Sequence, residues 1–373
     1  MIEPLQEKQQ RLLKSLKNIS YIREAFRYID NQEKMVGIIG SRGVGKTTLL
    51  LQYINQFEPD EVLYFSADDL LVLNYGIYDI VDEFYSLGGR VVAIDEVHRF
   101  KNWSQHLKNI YDSFPDLTIR ISGSSMLNIL YEKYDLSRRL VLHTLPVLSF
   151  REYLQIVKDI TFKSYTLEEI LKDGVKLSKE FIFKHEDLYG HFKEYMKYGA
   201  YPFFLEGSRS FDQKLYNALE KIIHEDIPSL NKIDYSHIST FEKLIYFVVS
   251  SNKPFSVNVA SLSREFGVSE PTLYTYFDIL DKTAIFKSMR KKSVKISKKP
   301  QKLLFANTNI LSAYSNKINL DLDVGVLRET FFVNCFENIF YSDIGDFQVD
   351  DYIFEVGGKN KVLSSLKILK IAS

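Results

Sequence analysis

Cysteine is nearly missing from this chain: Cys335 stands alone among 373 residues. No intrachain disulfide can form, and the apolar run Phe331–Phe336 marks the thiol as an expected core group. Charge of one sign is missing too, since 48 basic residues face 48 acidic ones. Net charge therefore points to no nucleic-acid partner, and only local clusters can do so. No apolar run approaches the ~20 residues that span a bilayer, and the first residues are polar and charged. No membrane partner is expected, and a cytoplasmic location follows by default. The histidines at 98, 106, 143, 185, 191, 224 and 237 include none paired with Cys or another His at ligand spacing. A structural zinc site is not expected, and no Ser-His-Asp or Cys-His nucleophile can be argued. Apolar residues are plentiful at 45%, 14% aromatic, enough for a sizeable core and two or three domains.

The strongest positive signal lies near the N-terminus. Val36–Ile39 is a short apolar strand, followed by Gly40-Ser41-Arg42-Gly43-Val44-Gly45-Lys46-Thr47-Thr48 and an amphipathic helix. Strand, glycine-rich turn and Lys-Thr at a helix start form a phosphate-binding P-loop. Glycines let successive N–H groups turn toward one anion, and the helix dipole points its positive end at the same place. Lys46 would reach the β/γ-phosphates of ATP, and Thr47 would ligate Mg²⁺.

Arg90–Ile94 is a second apolar strand, and it ends in Asp95-Glu96. Asp95 is placed to hold the nucleotide's Mg²⁺, and Glu96 to polarise a water for attack on the γ-phosphate. An adjacent Glu points to ATP hydrolysis, because Ras-type switches place the water with a Gln from elsewhere. Leu117–Ser122 ends in Gly123-Ser124-Ser125, where a hydroxyl would lie beside Asp95 and act as a γ-phosphate sensor or form a plain Ser-rich turn.

Between Met35 and about Leu148 strand and helix alternate. Strands are expected at Val36–Ile39, Val62–Ser66, Val91–Ile94, Leu117–Ser122 and Val141–Leu145. Helices are expected at Lys46–Phe57, Ile77–Ser86 and Trp103–Ser113. This predicts a parallel sheet with helices on both faces and a ligand beyond the strands' carboxyl ends. Upstream, Leu12, Leu13, Leu16, Ile19, Ile22 and Phe26 recur at helical spacing and predict a packing helix within 1–32. Phe150 to about Leu230 is helical and aromatic, broken at Tyr198–Pro202, and reads as a lid.

Residues 239–290 have helix-turn-helix grammar, with Ser269 as N-cap and Pro271 in the first turn. The run 287–302 is strongly basic and fits a β-wing. Two readings stand: DNA contact through phosphates, or a packing module with a solvated basic hairpin. The C-terminal segment carries Asp346, Asp350, Asp351, Glu355, Lys359 and Lys361, either a charged-edge hairpin or a variant of a Mg²⁺ nuclease centre.

Taken in order, Gly40–Thr48, Asp95–Trp103, Gly123–Ser125, Leu136–Glu152, Tyr198–Pro202 and Phe354–Lys361 resemble a prokaryotic family of AAA-type ATPases close to the STAND signalling ATPases. The resemblance implies an α/β P-loop sheet of ASCE/AAA type at 1–150 and a helical lid at 151–235. It further implies a winged helix-turn-helix domain at 236–310 and a reduced α+β nuclease-like domain at 311–373. It also implies that Arg138, in cis or from a neighbouring copy, stabilises the γ-phosphate, although Ser137 stands where the family has Gly. Asn307 stands where the family has Asp, which weakens a catalytic role there. The expected partners are ATP, DNA through the winged helix, and further copies in a homo-oligomer.

Overall fold

A computed structural model describes residues 1–16, 19, 21–30, 32–124, 129, 136–230, 237–292, 299–357 and 366–370, with the backbone alone at 230 and 366–370. The chain parts into two compact units, Met1–Val147 and Leu148–Ser373.

The first unit is built on five parallel strands: β1 Met35–Ile39, β2 Val62–Ser66, β3 Val91–Asp95, β4 Thr118–Gly123 and β5 Val141–Thr144. Their order across the sheet is β2-β3-β4-β1-β5. β1 and β3 are buried along their whole length, as continuous apolar runs demand when helices cover both faces. The helices are α1 Ile2–Ser15, α2 Phe26–Ile29, α3 Lys46–Ile54, α4 Leu70–Tyr75, α5 Ile77–Ser86 and α6 Trp103–Ser113. The short α4 had no periodic signal. It begins because the Asp69 carboxylate accepts the Leu71 N–H, an N-cap at 2.9 Å.

The expected packing helix in 1–32 is corrected. α1 ends at Ser15 and buries Ile2, Leu5 and Gln9. Leu12, Ile19 and Ile22 are exposed, and Leu13, Leu16, Ile19, Ile22 and Phe26 line an open cavity of about 600 Å³. The apolar stripe runs past the helix end, so its 3.6-residue spacing no longer marks one face.

The second unit begins with α7 Phe150–Lys158 and α8 Leu167–Lys184. Both start on capping boxes, Ser149 with Glu152 and Thr166 with Glu169. α9 Leu188–Glu194 runs into a π-helical turn at Tyr195–Gly199, and α10 Phe211–Lys221 into another at Ile222–Asp226. Then come α11 Ile238–Ser250, α12 Val259–Phe266 and α13 Glu270–Lys282, with a small antiparallel sheet. In that sheet β8 Lys302–Phe305 lies between β6 Phe255–Ser256 and β7 Phe286–Met289. Ser269 caps α13 by accepting the Thr272 N–H at 3.2 Å. α14 Thr308–Lys317 and α15 Val324–Asn334 follow. The four-stranded antiparallel sheet that ends the unit is β9 Phe340–Tyr341, β10 Phe347–Val349, β11 Tyr352–Val356 and β12 Leu366–Lys370.

Cys335 is corrected as well: it is exposed, and its Sγ donates to the Phe331 carbonyl at 3.3 Å. Asn307 caps α14, accepting the Ile310 N–H at 3.0 Å and donating to the Tyr201 hydroxyl at 3.2 Å. Its place is structural. Among the described residues no helix is long and apolar enough to cross a membrane.

Candidate functional site

The P-loop leaves β1 at its carboxyl end and enters α3 at Lys46. Gly43 and Gly45 take φ of 82° and 97°, the left-handed region that a side chain would strain. A Cβ at Gly40 would meet the Leu145 carbonyl oxygen at 2.6 Å, so the loop has no room for one there. Lys46 is buried, and its ammonium donates to the Gly40 and Ser41 carbonyls at 2.8 and 2.9 Å. Backbone thus supplies both the curl of the loop and the anchor of its cation. Ser41, Arg42 and Thr48 are half-buried, and Val44 is buried.

Asp95 ends β3 with its carboxylate buried. Oδ2 accepts the Thr47 hydroxyl at 2.6 Å and the Tyr64 hydroxyl at 2.9 Å. Oδ1 accepts the Glu96 N–H at 3.0 Å and the Ser122 hydroxyl. β4 pairs with both β3 and β1, so this register puts Ser122 beside the acid and the P-loop strand beyond it. Burial and the Asp95 charge push Tyr64 ionisation far above the ordinary tyrosine range. Tyr64 is therefore a fixed donor to Asp95.

Glu96 follows with φ of 49°, a left-handed conformation rare outside glycine and of the kind that accumulates at functional sites. Its Oε2 accepts the Ser124 hydroxyl at 2.8 Å and lies 3.5 Å from His98 Nε2. The His98 side chain is 2% exposed, and neither ring nitrogen has a hydrogen-bond partner among the described residues. Burial, with Arg99, Arg42 and Lys46 near it, lowers its pKa to about 3. The imidazole is neutral.

Thr47, Asp95, Glu96 and Ser124 are therefore linked by hydrogen bonds or by chain neighbours, and Lys46 sits one residue from Thr47. Arg138 is not brought among them: it is exposed on the turn before β5. Its neighbour Arg139 is held by Asp112 through two bonds of 2.9 Å. Ser125 lies outside the described residues. Sequence reasoning missed Tyr64, Ser122 and His98, and it left Arg23 aside. Buried Arg23 donates to the Val44 carbonyl at 3.0 Å and to the Pro146 and Val147 carbonyls at 2.8 and 3.2 Å. It ties the P-loop to the segment after β5. A charged residue breaking a helical apolar pattern was the one signal available for it.

In the second unit one of the expected nuclease-like acids, Asp346, meets a lysine. Lys302 donates to Glu329 at 3.1 Å and to Asp346 at 3.2 Å. Asp346 also accepts the Val356 N–H at 2.8 Å. Glu355 lies half-buried on β11, and Lys359 and Lys361 lie outside the described residues. Three other members of the basic run are engaged too. Lys287 donates to the Val333 carbonyl at 3.0 Å and to that of Phe336. Arg290 pairs with Asp281 at 3.0 Å, and Lys291 with Asp343 at 2.7 Å.

One family match agrees with the geometry of the first unit. Residues 32–154 match the family model described as an AAA domain, and residues 189–321 match a domain of unknown function, DUF8612. Two uncharacterized proteins of Methanocaldococcus jannaschii are similar to this chain. MJ1637 is 33% identical over 54% of this chain and 45% of its own length. MJ1544 is 27% identical over 45% of this chain and 36% of its own length. The matches thus span less than half of either relative. Among solved structures, the Saccharomyces cerevisiae Hsp104–ADP complex overlaps 40% of this chain and 23% of that one, at 17% identity and a TM-score of 0.27. Sheet, P-loop and family match together make residues 32–154 an α/β P-loop domain of AAA type.

Proposed function

We propose that the chain is a Mg²⁺-dependent ATP-binding and ATP-hydrolysing switch of the AAA/STAND type. The observation that carries this reading is the 2.6 Å bond between Thr47 and Asp95. It joins the hydroxyl that opens the P-loop helix to the carboxylate that ends β3, as one metal bound by both would require. The amides of Gly40 to Thr48 hold the triphosphate tail. Lys46 leaves the Gly40 and Ser41 carbonyls for the β/γ-phosphates. Thr47 and Asp95 are the residues that would hold Mg²⁺, which neutralises phosphate charge when bound.

Glu96 takes the proton of the attacking water. Its bond to Ser124 supports a resting arrangement in which base and sensor occupy each other. Once Ser124 turns to the γ-phosphate, Glu96 is free to accept. Arg138, exposed and without the acid partner that holds Arg139, fits a role offered to a neighbouring copy in a homo-oligomer. In this reading 151–235 serves as lid, 236–310 as a winged helix moved by closure, and 311–373 as the reduced nuclease-like domain.

The test is Glu96→Gln in the full chain. Turnover should fall by about 10²–10⁴-fold while ATP is still retained. Unchanged turnover would remove Glu96 from its role, and wild-type protein that binds no Mg-ATP would end the reading. A DNA role for 287–302 draws less support, because Lys287, Arg290, Lys291 and Lys302 are already paired within the chain.

A further inference from the structure

The helices of the second unit bring together three side chains that sequence spacing had not joined. Glu220 ends α10, His224 lies in the π-helical turn that follows, and Glu242 lies on α11. His224 Nε2 is 3.2 Å from Glu220 Oε2 and 3.1 Å from Glu242 Oε1, and the three ligand atoms lie within 4.8 Å of one another. A helical Glu-His pair four residues apart is an ordinary surface ion pair taken alone. Five further observations carry this one beyond that.

The two distances from His224, 3.2 and 3.1 Å, fit a coordination shell. Ligand atoms bound to one ion at ~2.0–2.2 Å stand roughly 2.8–3.6 Å apart, for octahedral or tetrahedral geometry. Next, neither carboxylate has a lysine or arginine partner among the described residues, so two negative charges face one imidazole. The site also has an outer layer. The Tyr216 hydroxyl lies 3.1 Å from that of Tyr246, and burial together with the nearby Glu220 charge raises its pKa. Tyr216, Glu220 and His224 thus form one stripe that faces Glu242 and Tyr246. Metal ligands are commonly oriented by such second partners. Lastly, Tyr314 of α14 is 1% exposed and packs its ring on Tyr216 and Tyr246, at 5.6 and 5.8 Å. Its hydroxyl has no hydrogen-bond partner among the described residues and lies in the field of Glu220 and Glu242. The π turn at His224 is itself a feature frequent at functional sites.

We propose that Glu220, His224 and Glu242 bind one divalent cation of the Zn²⁺ class, clipping the end of α10 to α11. One imidazole and two carboxylates suit a borderline ion, whereas Mg²⁺ prefers an octahedral all-oxygen shell rich in water. His224 is 45% exposed on its side chain, which leaves water access to the remaining positions.

The test uses the full chain stripped with EDTA and titrated with Zn²⁺ against a chromophoric chelator, then with Co²⁺ by visible absorption. One saturable site is expected, with a rise in melting temperature on Zn²⁺ addition. His224→Gln and Glu242→Gln should each weaken binding at least about tenfold and remove the thermal shift. Asp95→Asn should retain the site, which separates this ion from any held at the P-loop. No saturable binding overturns the proposal, as does equal affinity in both variants. Loss of binding in Asp95→Asn alone also overturns it.

Discussion

A buried carboxylate in one compact unit and a carboxylate pair in the other are satisfied by opposite means. Asp95 is 3% exposed and receives three hydroxyls and one backbone amide. All four donors are neutral, so its charge stays available to a cation. Glu329 and Asp346 instead receive the ammonium of Lys302. The donors differ in kind at the two places, and so does the electrostatic result. A neutral cradle orients an acid and keeps its charge, whereas a lysine cancels it and turns the acids into a structural tie. Acids clustered on adjacent elements are therefore a poor guide to a metal centre until their donors are known.

The comparison breaks most readily at Lys46. Lys46→Ala should reduce ATP turnover by roughly 10³-fold, since it removes the cation placed for the phosphates. Steady-state hydrolysis and calorimetry with Mg-ATP measure this, and near-normal activity would deny the first cluster its cation site. Next is Lys302→Met, which removes the ammonium shared by Glu329 and Asp346. Unfolding in urea should show a loss of about 3–5 kcal/mol, with ATP turnover of the remaining folded protein within about twofold of wild type. A stable variant would mean that the lysine is not what satisfies these acids.

Acid titration sharpens the first cluster further. The pKa of His98 is lowered to about 3 in the folded chain, against ~6.5 when unfolded. Below pH 6.5 the unfolded chain takes up a proton that the folded one refuses. Its contribution is thus complete above pH 6.5 and is lost as pH falls toward 3, at up to ~1.4 kcal/mol per unit. Urea unfolding of wild type and His98→Gln at pH 7.5, 6 and 5 should give a shallower decline for the variant. The smallest effect is expected at Tyr64→Phe, which removes one of four donors to Asp95. A loss of about 1 kcal/mol in stability, or a few-fold change in Mg-ATP affinity, should follow. An effect above about 3 kcal/mol would mean that Tyr64 does more than orient the acid.

Much of the first unit was legible because its signals are local. Strand, turn and helix around Gly40–Thr48 need only neighbouring residues, and the apolar runs ending at Asp95 and Gly123 named their strands to within a residue or so. Ser124 was named as a contact of this site because it follows such a run. α4 was not visible, since one capping aspartate starts it. The stripe from Leu12 to Phe26 misled because periodicity cannot say where a helix stops.

By itself, the sequence determined the P-loop, the acidic pair after β3 and the alternation that makes a parallel sheet, because each is set by contacts within a few residues. Only the tertiary structure decided which donors surround Asp95, that Lys302 joins Glu329 and Asp346, and that Glu242 meets Glu220 and His224. The partners in each case come from separate strands or helices. Their meeting depends on strand register and helix packing, which no local spacing encodes.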